Sequence, residues 1–351
     1  SSFTVTVLNT APVVAIAIAD QAGVYGNAFG YQFPANTFTD SDAGDTLTTT
    51  VSTLPAGITF NATTRTFSGT PTAPSAATVT VTATDGFGLT VSDAFVLTIA
   101  KASLTVTADA KTKVYGAANP ALTATITGFA NGETLATSGV TGAASVTTTA
   151  TALTGVGSAT LTAAVGNLVS ANYAFTFTDG ALTITKAPLT VTANPVGRVY
   201  GAANPTFTAT LAGFVNSETL DTSGVTGGAA FTTAAGATSI VGAYAITPAV
   251  GTLASANYAF TAFTDGVLTI SQANAAVALG NLAQTYNGSP RPVSVTTSPT
   301  GLSVAVTYDG NAVAPVNAGS YAVLARVNDG GNYFGTVVGA LTVAKAAQTL
   351  A

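Results

Sequence analysis

An acidic loop in the first hundred residues carries the side chains best suited to chemistry. Asp40, Asp42 and Asp45 lie within residues 40–45 of a chain that has 14 acidic residues in all. Such crowding of like charge is unfavourable unless a cation or open solvent relieves it. Ca²⁺ takes six to eight oxygen ligands at roughly 2.3–2.6 Å, which is more than two aspartates supply. Further ligands would have to come from other side chains and from backbone carbonyls. The loop is a candidate calcium site, with Asp45 the residue least expected to ligate, but loops rich in Asp, Ser and Gly are also commonly solvated turns.

Two glutamates, Glu133 and Glu218, are the only ones in the chain. A glycoside hydrolase needs paired carboxylates roughly 5 to 9.5 Å apart. These two residues occupy equivalent positions in successive copies of a repeat, so we expect them to lie tens of ångströms apart. Anchoring of a loop explains them better, and we expect no catalytic residue.

Tyrosine before a turn glycine recurs in every unit of the chain. Tyrosine could offer an exposed platform for sugars, because it presents a ring face and a hydroxyl. Recurrence in every unit instead favours a ring packed on the core, with glycine permitting the turn behind it. The same interpretation applies to Tyr308 and Tyr321. The recurring tyrosines are Tyr25, Tyr115, Tyr200 and Tyr286.

Asn-Gly and Asp-Gly dipeptides are frequent and could be mistaken for ligand loops. They mainly satisfy the positive φ angles of hairpin turns. We therefore predict turns at the dipeptides near positions 131, 179, 265, 287, 309 and 329.

Composition excludes several classes of function. The absence of Cys excludes thiol chemistry, disulfides and Cys-ligated zinc. The absence of His removes the common acid/base group of neutral pH. Nine basic residues against 14 acidic ones give a net charge of −5 without a Lys/Arg cluster, so nucleic acid is not an expected partner. The longest apolar run, Ala11 to Ala19, contains a proline and is shorter than the roughly 20 residues of a spanning helix, so no membrane span is expected.

Two long segments of the chain are near copies. Lys101 to Pro120 recurs as Lys186 to Pro205, displaced by 85 residues. A period of this length exceeds the 20 to 50 residues of solenoid repeats and matches a self-contained domain. Alternating segments such as Leu104-Thr105-Val106-Thr107 place apolar side chains on one face of a strand, as in a two-sheet sandwich.

These patterns predict an all-β fold of tandem immunoglobulin-like and cadherin-like β-sandwich domains in an elongated rod. Thr and Val favour strands, and Gly and Pro interrupt them at short intervals. The predicted domains are residues 10–100, 101–185, 186–271 and 272–345. Residues 1–9 would be the closing strand of an upstream domain or a donor strand, and residues 346–351 the start of a following repeat.

With these residues in view, the second and third domains resemble the MBG family of bacterial surface proteins, in its Tyr-Gly type, and the fourth resembles its Tyr-Asn-Gly relative. The motifs that carry the resemblance are K-A-x-L-T-V-T-A from Lys101 and Lys186, V-Y-G-A-A-N-P from Val114 and Val199, G-F-x-N-x-E-T-L from Gly128 and Gly213, and A-N-Y-A-F from Ala171 and Ala256.

The first domain resembles a dystroglycan-type cadherin-like domain. Its matching segments are Asn9–Pro12, Thr37–Asp45, Leu54–Phe60, Phe67–Pro71 and Ala83–Gly86. Cadherin-like domains place a D-x-D pair, a later aspartate and a linker asparagine at the end that faces the preceding domain. This resemblance therefore implies a calcium site at Asp40, Asp42, Asp85 and Asn9.

The resemblances imply the repetitive portion of a large secreted adhesin on the bacterial cell surface, where such modules extend a binding tip away from the cell. We expect a stalk segment that serves cell adhesion or biofilm formation. Two alternatives stay open: a filament subunit that polymerises by strand addition through Ser1 to Leu8, and a carbohydrate- or protein-binding module. The expected partners are flanking repeats or neighbouring copies of the protein, with host or matrix glycans or proteins at the binding end.

Overall fold

The computed structural model describes residues 8–348, and these residues form strands and turns without a helix. The all-β class predicted from the sequence is therefore confirmed. The chain divides into two compact units, with the boundary along the sequence after Thr185, and each unit holds two β-sandwiches. Residues 1–7 of the predicted donor strand, Ser1 to Leu8, and residues 349–351 of the predicted following repeat lie outside the described residues. No helix with the length and hydropathy to cross a bilayer occurs in residues 8–348.

Domain 1 is a sandwich of a four-stranded and a three-stranded sheet, with a short additional strand pair. The four-stranded sheet has the order β2-β9-β8-β5, the three-stranded sheet β3-β7-β6, and β1 pairs with β4. The strands are β1 (Val13–Val14), β2 (Gln21–Val24), β3 (Phe29–Gln32), β4 (Phe38–Thr39), β5 (Thr48–Val51), β6 (Ile58–Asn61), β7 (Thr66–Gly69), β8 (Ser75–Thr84) and β9 (Thr90–Ala100).

The core of domain 1 follows from the two-residue period of its strands. In β8, Val79, Val81 and Ala83 are buried while the threonines between them are partly exposed. Phe67 from the opposite sheet is fully buried and lies 4.6 Å from Phe60 between ring centroids. Burying a side chain of this kind stabilises a fold by roughly 1.5–3 kcal/mol.

Domains 2 and 3 have the same seven-stranded topology. In domain 2 the sheets are β12-β10-β15 and β11-β16-β14-β13, and in domain 3 they are β19-β17-β22 and β18-β23-β21-β20. The strands of domain 2 are β10 (Ala102–Ala108), β11 (Lys111–Val114), β12 (Ala124–Thr127), β13 (Ser145–Thr147), β14 (Gly157–Ala164), β15 (Tyr173–Thr178) and β16 (Gly180–Thr185). Those of domain 3 are β17 (Ala187–Ala193), β18 (Val196–Val199), β19 (Ala209–Ala212), β20 (Ala230–Thr232), β21 (Gly242–Ala249), β22 (Tyr258–Thr264) and β23 (Gly266–Ser271).

Each of these two domains buries a cation. Lys113 in domain 2 donates from Nζ to the carbonyls of Thr151 at 2.6 Å and Ala117 at 3.2 Å. Arg198, at the same place in domain 3, donates to the carbonyl of Gly236 at 2.6 Å and to Asn204 at 2.8 Å. Because a buried cation is costly without hydrogen bonds, these carbonyls fix the loops that carry them.

Domain 4 repeats the four-stranded sheet, but two separate strand pairs stand where domains 2 and 3 have a three-stranded sheet. Its main sheet is β26-β31-β29-β28, and β24 pairs with β30 and β25 with β27. Tyr308 is buried, and its hydroxyl accepts a hydrogen bond from the Val293 N–H. Tyr321 packs against the same core, so the prediction for both tyrosines is confirmed. The strands are β24 (Ala273–Asn274), β25 (Ala276–Gly280), β26 (Ala283–Thr285), β27 (Ser294–Ser298), β28 (Val304–Tyr308), β29 (Gly319–Val327), β30 (Tyr333–Phe334) and β31 (Thr336–Ala344).

The predicted positive φ angles occur at some of the Asn-Gly and Asp-Gly dipeptides. At two of the dipeptides, glycine is required for another reason. Asn131-Gly132 and Asp309-Gly310 have positive φ at both residues, as a type I′ turn requires. Gly180 and Gly266 have no positive φ and instead open β16 and β23. A Cβ at Gly180 would collide with the Ala108 carbonyl, so close strand approach selects glycine there.

One parallel strand pair recurs in all four domains and defines the end of each. The pairs are β2 with β9, β11 with β16, β18 with β23 and β26 with β31. The turn tyrosine follows the first strand of each pair, and its backbone N–H donates to the last carbonyl of the second strand. The four N–H to carbonyl pairs are Tyr25 to Ala100 (2.9 Å), Tyr115 to Thr185, Tyr200 to Ser271 and Tyr286 to Ala344 (each 2.8 Å). The tyrosine therefore lies at the end from which the chain leaves its domain.

Candidate functional sites: an acidic cluster and two domain junctions

The acidic cluster predicted from the sequence is assembled in domain 1. Carboxylate oxygens of Asp40, Asp42 and Asp45 all lie within 4.8 Å of one another. The loop is held in place by the Asp42 N–H, which donates to Asp40 Oδ1 at 2.9 Å. Thr10 donates to Asp42 Oδ2 from its N–H at 2.7 Å, which brings the linker segment beside the loop. The structure thus places Asp45, the residue least expected to ligate, among the carboxylates.

Asp85 and Asn9 complete the group, with different roles. Asp85 Oδ2 accepts a hydrogen bond from Asn9 Nδ2 at 2.8 Å, and Asp85 Oδ1 accepts from the N–H groups of Phe87 and Leu89 at 2.9 Å. Burial acts to raise the pKa of Asp85, but the hydrogen bonds from Asn9 and from the backbone outweigh it and lower that pKa. Asp85 therefore orients the Asn9 amide.

Three oxygen atoms in this group are buried without a hydrogen-bond partner: Asn9 Oδ1, Asp40 Oδ2 and Asp45 Oδ2. Desolvation, followed by the charges of Asp40, Asp85 and Asp42, raises the pKa of Asp45. Buried acceptors without donors are costly unless a proton or a cation satisfies them. The donor set consists only of hard oxygen atoms, which is the set that Ca²⁺ takes.

The first junction joins domain 1 to domain 2 and is built around Tyr25. A single residue, Lys101, separates β9 from β10. The Tyr25 ring is only 4% exposed and packs with Leu104 and Tyr173 in the core of domain 2. Its ring centroid lies 5.4 Å from that of Tyr173 at an interplanar angle of 83°. Burial of Tyr25 was predicted correctly, but much of the core that covers it belongs to the following domain.

Glu133 bridges two tyrosines at the first junction. Its Oε1 accepts the Tyr25 hydroxyl and its Oε2 accepts the Tyr173 hydroxyl, both at 2.6 Å. The hydrogen bond to Glu133 and then burial raise the pKa of Tyr25. Burial and then Glu133 raise the pKa of Tyr173 to about 12. The glutamate anchors its loop, as predicted, and also ties two domains together.

Gly26 allows the two domains to approach closely. Its φ of 73° favours glycine, and a Cβ at this position would collide with the Cβ of Ala130 in domain 2. Lys101 adds a contact in the same direction, because its Nζ donates to the Ser170 carbonyl of domain 2 at 2.7 Å. The end of domain 1 is thus complementary to the loops of domain 2.

The second junction joins domain 3 to domain 4 and repeats the ring contact. Tyr200 and Tyr333 lie 5.3 Å apart between ring centroids at 81°. The polar contact here is different: Asn332 Oδ1 accepts the Val241 N–H at 3.1 Å. The linker residue Gln272 donates from Nε2 to the Gly331 carbonyl at 3.0 Å. Sequence reasoning found the tyrosine that recurs in each unit, but missed both its position at the domain end and its partner on the next domain.

Comparisons with known proteins agree with this architecture. The family model described as a putative Ig domain matches residues 2–100. The model for the MBG domain of YGX type matches residues 104–183 and 189–269, and a further MBG domain model matches residues 275–347.

Curated relatives resemble one part of the chain. The serine-rich adhesin for platelets of Staphylococcus aureus strain MRSA252 is 34% identical over 88 residues, which are 25% of this chain and 6% of that adhesin. The adhesin of the same description from strain MW2 is 34% identical over 88 residues, 25% of this chain and 4% of its own length. The chain thus matches only a small part of these relatives.

Solved structures also align over most of this chain, at low sequence identity and low TM-score. The N-terminal eight Ig domains of Down Syndrome Cell Adhesion Molecule align over 97% of this chain and 56% of theirs at 12% identity, with a TM-score of 0.24. The titin I-band fragment I67–I69 aligns over 75% of this chain and 99% of its own at 10% identity, with a TM-score of 0.29. By its family matches, this chain is a putative Ig domain followed by three domains of the MBG family.

Proposed function

We propose that this chain is a non-catalytic stalk segment of a secreted bacterial surface adhesin. The observation that carries the proposal is the design of the two described junctions, where one linker residue and a buried or half-buried tyrosine connect consecutive sandwiches. The Ig and MBG family matches and the local similarity to a staphylococcal adhesin support it. In this role the chain holds a binding region away from the cell for adhesion or biofilm formation.

The physical basis is restricted rotation between neighbouring domains. A one-residue linker leaves almost no slack, and an edge-to-face aromatic pair contributes roughly 0.5–1.5 kcal/mol beyond its buried area. At the first junction, Glu133 adds two charge-assisted hydrogen bonds. The carboxylate of Glu133 is occupied by these tyrosines, which fits a positioning role better than a catalytic one.

Small-angle scattering of the full chain tests the stalk. We expect a maximum dimension on the order of 150 Å, taking about 40 Å per sandwich from strand rise and length. A matched variant with a Gly/Ser segment inserted between Ala100 and Lys101 should scatter as a more flexible particle. A compact particle, or no change on insertion, would contradict the proposal.

We also propose that the acidic cluster of domain 1 binds Ca²⁺. The three buried oxygen atoms without partners and the raised pKa of Asp45 support this second role. Asp40, Asp42, Asp45 and Asn9 would supply ligand oxygens, with Asp85 holding Asn9 in position. A bound cation would link the segment at Asn9 and Thr10 to the loop and stiffen the entry to the domain.

Asp45→Asn separates a calcium site from a solvated turn. In chelator the substitution should raise the melting temperature of domain 1, because it removes one of several crowded negative charges. In millimolar Ca²⁺ the wild-type chain should melt several degrees higher than in chelator, since an ion that binds only the folded state stabilises it. Asp45→Asn should lose most of that increase, whereas Asp221→Asn in domain 3 should keep it. Equal melting temperatures of the wild-type chain in Ca²⁺ and in chelator would contradict Ca²⁺ binding by the acidic cluster.

A further inference from the structure

We propose that the end of domain 4 around Tyr286 and Lys345 is a docking face for a further MBG-type domain. This inference rests on the proposed stalk function and names the partner that one face of the stalk takes. It follows from the same tyrosine and linker positions at the described junctions.

Tyr286 has the backbone position of a junction tyrosine. Its N–H donates to the last carbonyl of the closing strand, at Ala344, as the N–H of Tyr25 does at Ala100. Tyr25 is 4% exposed beneath domain 2, whereas Tyr286 is 40% exposed. An aromatic ring fixed at a domain end and left open to solvent is suited to receive a partner.

The residue that links one domain to the next has a recurring role, and Lys345 has the same position at the end of domain 4. Lys101 and Lys186 each donate from Nζ to a loop carbonyl of the domain that follows them, Ser170 and Ser255, at 2.7 Å. Gln272 does the same to Gly331. Lys345 occupies the corresponding place after β31, and Lys345-Ala346 repeats the Lys-Ala pair of the earlier linkers.

Tyr286 and Lys345 line one open pocket of about 610 Å³, with Asn317, Ala318 and Gln348. The pocket therefore combines an aromatic ring with a cation that can reach a backbone carbonyl. These are the two groups that the preceding domain contributes at the first junction.

The partner is specified by what faces the junction tyrosines elsewhere. Tyr25 and Tyr200 each meet a tyrosine that follows an asparagine, Asn172-Tyr173 and Asn332-Tyr333. In both cases the asparagine carbonyl accepts the N–H of the first alanine of that domain. An MBG domain has this Asn-Tyr pair. Residues 1–100 contain no Asn-Tyr pair, which argues against the first domain of a second copy as the occupant.

The test appends residues 102–185 of this chain directly after Lys345, which recreates a Lys-Ala linker. Because the chain has no tryptophan, Tyr286→Trp places a single fluorescent probe on the face. With the appended domain, we expect its emission to shift to shorter wavelength and its acrylamide quenching constant to fall several-fold. Tyr200→Trp is the matched control, and its emission and quenching should not change.

A second experiment compares the melting temperature of the chain that has the native Tyr286 with that of a variant that lacks the ring. Tyr286→Ala should lower the melting temperature of the extended chain, and it should have a smaller effect on the chain of 351 residues. Unchanged quenching at Tyr286→Trp beside a folded appended domain would overturn the docking face. A blue shift in the unextended chain that grows with protein concentration would also overturn it, in favour of a second copy. Either failure is distinct from that of the stalk itself, which scattering measures on the unextended chain.

Discussion

The two described junctions connect consecutive domains through the same kind of tyrosine pair but through different polar contacts. Both use an edge-to-face tyrosine pair of nearly equal geometry, 5.4 Å and 83° at Tyr25 with Tyr173, 5.3 Å and 81° at Tyr200 with Tyr333. The first adds the carboxylate of Glu133 between two hydroxyls. The second adds a neutral amide contact from Asn332 to a backbone N–H.

This difference separates what a junction requires from what strengthens it. The ring pair and the short linker are common to both, so they set the relative orientation of consecutive domains. Hydrogen bonds to charged groups contribute about 1.5–3 kcal/mol, against about 0.5–1.5 kcal/mol for neutral ones. The first junction should therefore be the tighter of the two and the more sensitive to pH.

Gly26→Ala should lower the stability of the first junction most, because it combines a steric collision with backbone strain. The new Cβ would collide with Ala130, and overpacking of this kind costs about 1–3 kcal/mol in addition to the strain of a positive φ. Gly201→Ala is the matched control: its φ of 81° is similar, but no atom lies within 4 Å of the new Cβ. Calorimetry should show a larger loss of melting temperature for Gly26→Ala. Equal losses would mean that the close approach to Ala130 is unimportant.

Glu133→Gln should weaken the first junction by about 1.5–3 kcal/mol, because it removes the charge that both hydroxyls face. Tyr25→Phe is a more specific second variant, since it deletes only the hydroxyl that donates across the junction and keeps the ring. A double-mutant cycle of the two substitutions, measured by thermal unfolding, should give a coupling energy of about 0.5–3 kcal/mol. Strictly additive effects would show that the bridge does not couple the domains.

Local patterns in the sequence predict the strands and the acidic loop well. Strand alternation fixes which residues of β8 and β10 face the core, because a pleated strand has a period of two. The acidic loop could be found because its carboxylates are adjacent in sequence. Asp45 could not be assigned within it, since loop curvature decides which carboxylates converge.

The junctions are beyond such patterns because their contacts join distant residues. Tyr25 and Glu133 are 108 residues apart and lie in different domains, so nothing near either residue indicates the other. The buried cations Lys113 and Arg198 are likewise hidden, since carbonyls rather than carboxylates satisfy them. The glycines Gly180 and Gly266 carry the same dipeptide signal as turn glycines, although strand approach is what selects them.

Alkaline pH should weaken the first junction selectively. A tyrosine whose pKa is raised on folding stabilises the fold fully below its unfolded pKa of about 10 and loses that contribution as pH rises. Tyr173, with a pKa of about 12, and Tyr25, with a raised pKa, both follow this sign. We expect the first unit to lose stability between about pH 10 and 12. Glu133→Gln should flatten this dependence in melting experiments, and an unchanged slope would contradict the role of the carboxylate.

Asn332→Ala should give the smallest effect, about 0.5–1.5 kcal/mol at the second junction. It leaves the Val241 N–H without its side-chain acceptor but keeps the ring pair and the backbone carbonyl that Ala273 uses. Asn332→Asp is the control, since it retains an acceptor at the same place. Hydrogen exchange at Val241 should accelerate in Asn332→Ala and not in Asn332→Asp. If Asn332→Ala cost as much as Glu133→Gln, the charge at the first junction would add nothing, and the shared tyrosine pair alone would account for both junctions.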